Sequence, residues 1–96
     1  MALGPDTVPR LWRLARLDYD PARQRPVLLY PEGAVLLNDT GAAILKLVDG
    51  QRSVGDIARV LSERYNGAGS ADPTEILNDV TAYLSTLADR ELIRDQ

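Results

Sequence analysis

The side chains with the raw material for acid–base chemistry are carboxylates: Asp18 and Asp20, separated by Tyr19, and Glu32 in a following turn. A general acid and base need burial or mutual repulsion to drive their pKa values apart. These three stand among Pro, Arg, Gln and Gly, where turns and solvated faces account for them. The sequence has no histidine and no cysteine, so it offers neither imidazole nor thiolate as nucleophile, base or metal ligand. It also lacks a phosphate-cradling glycine loop, metal-ligand spacing and a nucleophile elbow. The expectation is a domain that is not an enzyme, with no catalytic residue, metal or cofactor of its own.

A non-catalytic domain must act through its surface, and charge narrows the partners. Net charge is −3, unevenly spread: residues 1–30 hold five Arg against three Asp, and residues 31–96 hold six basic against eleven acidic groups. An acidic body repels phosphate backbones, which argues against nucleic acid. No stretch is long and apolar enough for a membrane span, Met1 to Arg10 lacks a signal-peptide core, and cysteine is absent, so the expected compartment is the cytoplasm.

The elements that position any surface are organised around Pro26 to Gly50, PVLLYPEGAVLLNDTGAAILKLVDG. Val27–Tyr30 and Ala34–Leu37 read as a hairpin. Pro31 presets the turn, and Gly33 is free to take positive φ, as a type I turn with a G1 bulge requires. A helix follows from Asn38 or Asp39, stopped by Gly50, with Ala43, Ile44, Leu47 and Val48 inward. Ser53 and Asp56 form an approximate capping box for a second helix with Val54, Ile57, Ala58, Leu61 and Tyr65 on one face. Asn66 to Ser70 is a permissive linker, and Asp72-Pro73 starts a third helix running to about Arg90. On that helix Ile76, Val80, Tyr83 and Leu87 form one stripe, while Leu77, Leu84 and Ala88 form a second to its side.

Upstream, Arg13 to Tyr19 reads as a strand with Leu17 and Tyr19 on one face, and Asp20 to Pro26 as a surface loop. Met1 to Pro9 is expected to be a flexible terminus ahead of one domain at 10–96, and Trp12 a hydrophobic lid. Leu92 and Ile93 close the core. The predicted class is α+β, winged-helix-like, with a small antiparallel sheet of about three strands followed by three helices.

The segments LLYPEG, LNDTGAAIL, LVDG, SVGDIARVLSERY and LADRELI, in this order within Arg10 to Ile93, resemble the family of the pyrroloquinoline quinone biosynthesis protein PqqD. The resemblance implies a peptide chaperone of the precursor-peptide recognition type. It would bind the ribosomally made precursor peptide and present it to a radical-SAM enzyme, which cross-links a Glu and a Tyr of that peptide. The cofactors of that chemistry would belong to the enzyme.

A disordered peptide binds well by adding a strand to a free sheet edge. Ala34, Val35, Leu36 and Leu37 are the expected edge, and Leu77, Val80, Tyr83 and Leu84 the expected apolar lining. Apolar two-faced strands and the linker at 66–70 suggest a homodimer, by strand pairing or segment exchange. The alternative, a winged-helix DNA-binding regulator, requires bases on a recognition helix. Thr74 to Asp89 instead offers one Asn, no basic residue, and Glu75, Asp79 and Asp89.

Overall fold

A computed structural model of the chain describes residues 3–65 and 73–95. In chain order its elements are β1 (Pro9–Leu11), β2 (Arg16–Asp20), β3 (Arg25–Tyr30), β4 (Gly33–Leu36), α1 (Asp39–Lys46), α2 (Val54–Tyr65), α3 (Pro73–Asp89) and β5 (Ile93–Asp95). The strands form two antiparallel sheets, β2-β3-β4 and β1-β5. The architecture is the expected α+β class, with the two-stranded ribbon added to the expected sheet.

The β3–β4 hairpin is held in register by Leu28 opposite Val35 and Leu29 opposite Ala34. Tyr30 faces Gly33 directly across a two-residue loop, Pro31-Glu32, and Gly33 is nearly extended at φ 159°. The expected positive φ at Gly33 is present, but the direct Tyr30–Gly33 pair replaces the expected bulge with a plain two-residue connection. Upstream, Ala15 N–H donates to Trp12 O, so Arg13 and Leu14 lie in a turn and the strand begins only at Arg16. The surface loop expected from Asp20 to Pro26 shrinks to a turn. The Asp20 carboxylate accepts from the Ala22 and Arg23 N–H groups and from the Arg23 guanidinium, which brings Arg25 and Pro26 into β3.

Asn38 caps α1 as expected, its Oδ1 accepting from Gly41 N–H at 2.7 Å. The helix ends at Lys46, short of Gly50, because Asp49 builds the next turn: its carboxylate accepts from the Gln51 and Arg52 N–H groups. Ala42 and Leu45 join Ile44, Leu47 and Val48 in the core, while Ala43 is only half-buried. The capping box of α2 is reciprocal, Asp56 N–H to Ser53 Oγ at 3.0 Å and Ser53 N–H to Asp56 Oδ2 at 3.3 Å. The linker at 66–70 lies outside the described residues, as does Asp72.

Residues 3–9 are tied into the fold, contrary to the expectation of a segment with little to pack. Val54 and Gly55, two of the orphan N–H donors opening α2, donate to Thr7 O and Pro5 O at 2.8 and 2.9 Å. Leu3 packs on the core, and Pro9 is wholly buried. The chain then pairs β1 with β5, and Trp12 N–H donates to Leu92 O. Such contacts come from the far end of the chain, so local composition does not reveal them.

The reversal after α3 makes β5 possible. Leu92 N–H returns to Leu87 O and Glu91 N–H to Ala88 O, with Glu91 left-handed at φ 63°, the bonding pattern of a Schellman cap. A glycine carries no Cβ penalty there. Glu91→Gly is expected to raise unfolding free energy by about 0.5 to 1 kcal/mol, measured by urea titration. The core beneath gathers Leu28, Leu37, Leu45, Val54, Ile57, Leu61, Val80, Leu84 and Ile93, all essentially inaccessible, so Ile93 and buried Leu92 close it as expected.

Candidate functional site

β4 is an edge strand: among the described residues it pairs with β3 on one side and with no strand on the other. Which of its backbone groups face outward follows from one bond. Leu37 N–H donates to Pro26 O at 2.9 Å, so Leu37 opposes Pro26 as a hydrogen-bonded pair. In an antiparallel ladder such pairs alternate with non-bonded ones. Val35 and Gly33 therefore spend their N–H and C=O on Leu28 and Tyr30, while Ala34 and Leu36 turn theirs toward the free edge. Both side chains are exposed, Leu36 at 46%, an unusual exposure for a leucine in a strand.

The ends of this edge are fixed by distant parts of the chain. At the hairpin end, the Arg90 guanidinium donates to Tyr30 Oη at 3.1 Å and lies 6.0 Å from the ring centroid. At the other end, Arg25 Nε donates to Leu37 O at 3.2 Å, holding the junction where β4 becomes the capped start of α1. Tyr83 reaches the same junction. A Cβ added at Gly41 would lie 2.5 Å from Tyr83 Oη and 2.9 Å from its Cζ. Tyr83 in α3 and Arg90 just after its end thus reach the α1 start and the hairpin turn respectively.

That contact gives a test of the junction. Gly41→Ala must push the ring of Tyr83 aside and is expected to cost about 1 to 3 kcal/mol, as overpacking does. The cost should largely vanish in a Tyr83→Ala background, which a double-mutant cycle by thermal melting measures.

The eight residues expected for the site fall into separate groups. Ala34 and Leu36 present edge groups; Val35 is half-buried and faces the core side. Leu37 is buried at the junction, and Tyr83 is half-buried beside it. Val80 of the first stripe and Leu84 of the second are sealed in the core at 1% and 0% exposure, so the second stripe of α3 is buried surface at Leu84. Leu77 sits on the opposite half of α3, lining a cavity of about 280 Å³ with Gly55, Ala58, Arg59, Ser62 and Glu63 of α2. Tyr30, Arg25, Gly41 and Arg90 were not among the expected residues. Only the LLYPEG turn and the Arg at the third helix's end hint at them, and neither reveals that they meet.

Three side chains have their titration shifted by their surroundings. Burial pushes the Tyr83 phenol up, so it stays neutral. The Arg23 side chain holds Asp20 below the usual carboxylate range, and the backbone N–H groups of Arg52 and Gln51 do the same for Asp49. Lowered carboxylates add stability above their ordinary pKa and lose it as pH falls, so both turns weaken only in acid. Among the described residues no cluster of three or more metal-ligating side chains occurs, and no helix is long and apolar enough to cross a membrane.

Comparison with known proteins bears on this geometry. A protein of Methylococcus capsulatus named PqqA binding protein is 46% identical over 69 residues, 72% of this chain and 74% of that one. The solution structure of the PqqD truncation of Methylobacterium extorquens PqqCD, described as a functional and stand-alone recognition element for ribosomally synthesized and post-translationally modified peptides, superposes with a TM-score of 0.82. It is 40% identical, over 97% of this chain and 95% of that one. The crystal structure of PqqD from Xanthomonas campestris superposes at 0.59 with 35% identity, over 96% and 98% of the two chains. Residues 26–93 match the family described as Coenzyme PQQ synthesis protein D, the stretch that holds β4, its junction with α1, and α3, and the chain therefore belongs to the PqqD family.

Proposed function

We propose that this chain is a non-catalytic peptide chaperone of pyrroloquinoline quinone biosynthesis, working in the cytoplasm. It binds the precursor peptide as a strand added along β4 and presents it to a radical-SAM enzyme. The observation that carries the reading is the free edge itself: two residues, Ala34 and Leu36, with outward N–H and C=O groups, between the Tyr83 contact at the α1 start and the Arg90 contact at Tyr30. Relatives named PqqA binding protein and the recognition-element structure support the same partner. Backbone pairing supplies affinity without demanding sequence, and the exposed Leu36 together with Tyr83 offers apolar contact to alternate side chains. The DNA-binding alternative loses support, since the exposed positions of α3 include Glu75, Asp79 and Asp89 and no basic residue.

The experiment is titration of the precursor peptide into isotope-labelled protein. Amide shifts should concentrate at 33–38 and 83–90. Binding that leaves both stretches unmoved would reject the edge, and absence of binding to the folded protein would reject the partner. The same edge would pair with a second copy at high concentration. Light scattering should then show dimers that dissociate as peptide is added, and a monomer throughout the millimolar range argues against self-pairing.

A further inference from the structure

The β1–β5 ribbon carries a charge arrangement that the fold does not call for. Arg10 and Arg94 are register partners, directly opposite one another on adjacent strands. Like charges in that position destabilise a ribbon. Beside them Trp12 lies with the Arg94 guanidinium 5.9 Å from its ring centroid, and Arg13 follows in the turn. Together with Leu11 these residues line a shallow cavity of about 320 Å³. Arg10, Arg13 and Arg94 are all exposed, and among the described residues none of them forms an ion pair, whereas Arg16, Arg23, Arg52 and Arg59 each hold a carboxylate. A chain of net charge −3 thus gathers three unpaired arginines around its single tryptophan.

We propose that this face is a second docking surface, one that takes an acidic segment of a protein partner. Two adjacent guanidinium forks match carboxylates bidentately. The Trp12 and Leu11 surface gives the aliphatic part of a Glu or Asp segment something to lie on, which a bare phosphate would not use. The patch is small and set in an acidic body, so a short acidic segment fits it, while a long polyanion would run on into Asp and Glu side chains. The ribbon shares no strand with β2-β3-β4, so docking here leaves the β4 edge free. The inference uses none of the residues of the strand-addition reading and stands or falls apart from it.

Because Trp12 is the only tryptophan, its fluorescence and indole N–H resonance report on this face alone. The probe is an oligoglutamate peptide, compared with oligoglutamine and with oligothymidylate of equal length. Oligoglutamate should shift the Trp12 signals with a salt-sensitive affinity, and oligoglutamine should not. Arg94→Glu should weaken oligoglutamate binding at least about tenfold while raising the thermal midpoint by roughly 2 to 5 °C, since it turns the repelling cross-strand pair into an attracting one. Arg64→Glu, the same charge change on exposed α2, should leave affinity within about twofold, as expected for a charge on a helix that contributes no residue to this cavity. The assignment is overturned if oligoglutamate leaves Trp12 unmoved, if oligothymidylate binds more tightly, if the two variants weaken binding equally, or if Arg94→Glu lowers the thermal midpoint.

Discussion

Leu36→Pro is expected to remove most precursor-peptide binding from a domain that stays folded, and Val35→Pro, one residue earlier, to unfold the hairpin. The contrast comes from the alternation of the ladder. Leu36 turns its N–H to the open edge, so proline there deletes a donor that no described residue accepts from. Edge strands tolerate proline in that orientation. An added strand would lose one backbone hydrogen bond and meet the ring where it must approach, so a loss of at least about tenfold is expected, roughly 1.5 kcal/mol. Val35 by contrast faces Leu28 as a hydrogen-bonded pair. Proline there breaks a bond inside the sheet and sets its ring against β3, costing about 3 kcal/mol of stability. Circular dichroism melts and calorimetry with the peptide separate the outcomes. Equal loss of binding in two equally folded variants would mean that β4 does not receive a strand.

That pair of substitutions also shows where the sequence was legible. The hairpin, the three helices and their caps follow from local chemistry: Asn38 before Gly41, the Ser53 and Asp56 exchange, and proline at position 73 each act over one turn of chain. The edge status of β4 was also readable, because the chain leaves it directly for a helix. Whether Val35 or Leu36 points its N–H outward was not, since that depends on a register set by the Leu37 to Pro26 bond across the hairpin. The ribbon was hidden for a similar reason. Pro9–Leu11 is too short and too mixed to read as a strand, and only the reversal at Glu91 brings β5 back to it. Tyr30 with Arg90 and Gly41 with Tyr83 join residues far apart in the chain, where spacing carries no signal.

The third helix was the hardest element to read, because two apolar stripes at its periodicity fit either a broad buried face or a buried face plus a groove. Leu84 decides between them. It is 0% exposed and belongs to the same cluster as Leu28, Leu37, Ile57 and Ile93. Replacing it by Asp therefore tests the core rather than a binding surface. Loss of the leucine alone costs about 2 to 5 kcal/mol, and an unpaired carboxylate buried in its place adds several more. A domain of this size has about 5 to 14 kcal/mol in all. Leu84→Asp is thus expected to be largely unfolded at 25 °C, and Leu84→Ala to melt well below the parent yet bind peptide normally once folded. If Leu84→Asp instead melts like the parent and loses only peptide affinity, Leu84 faces a groove in solution and the second stripe is a binding surface. Tyr83→Ala is the companion measurement. Its half-buried ring lies at the junction between β4 and α1, so its loss should weaken peptide binding more than it weakens the fold, the opposite partition from its neighbour in sequence.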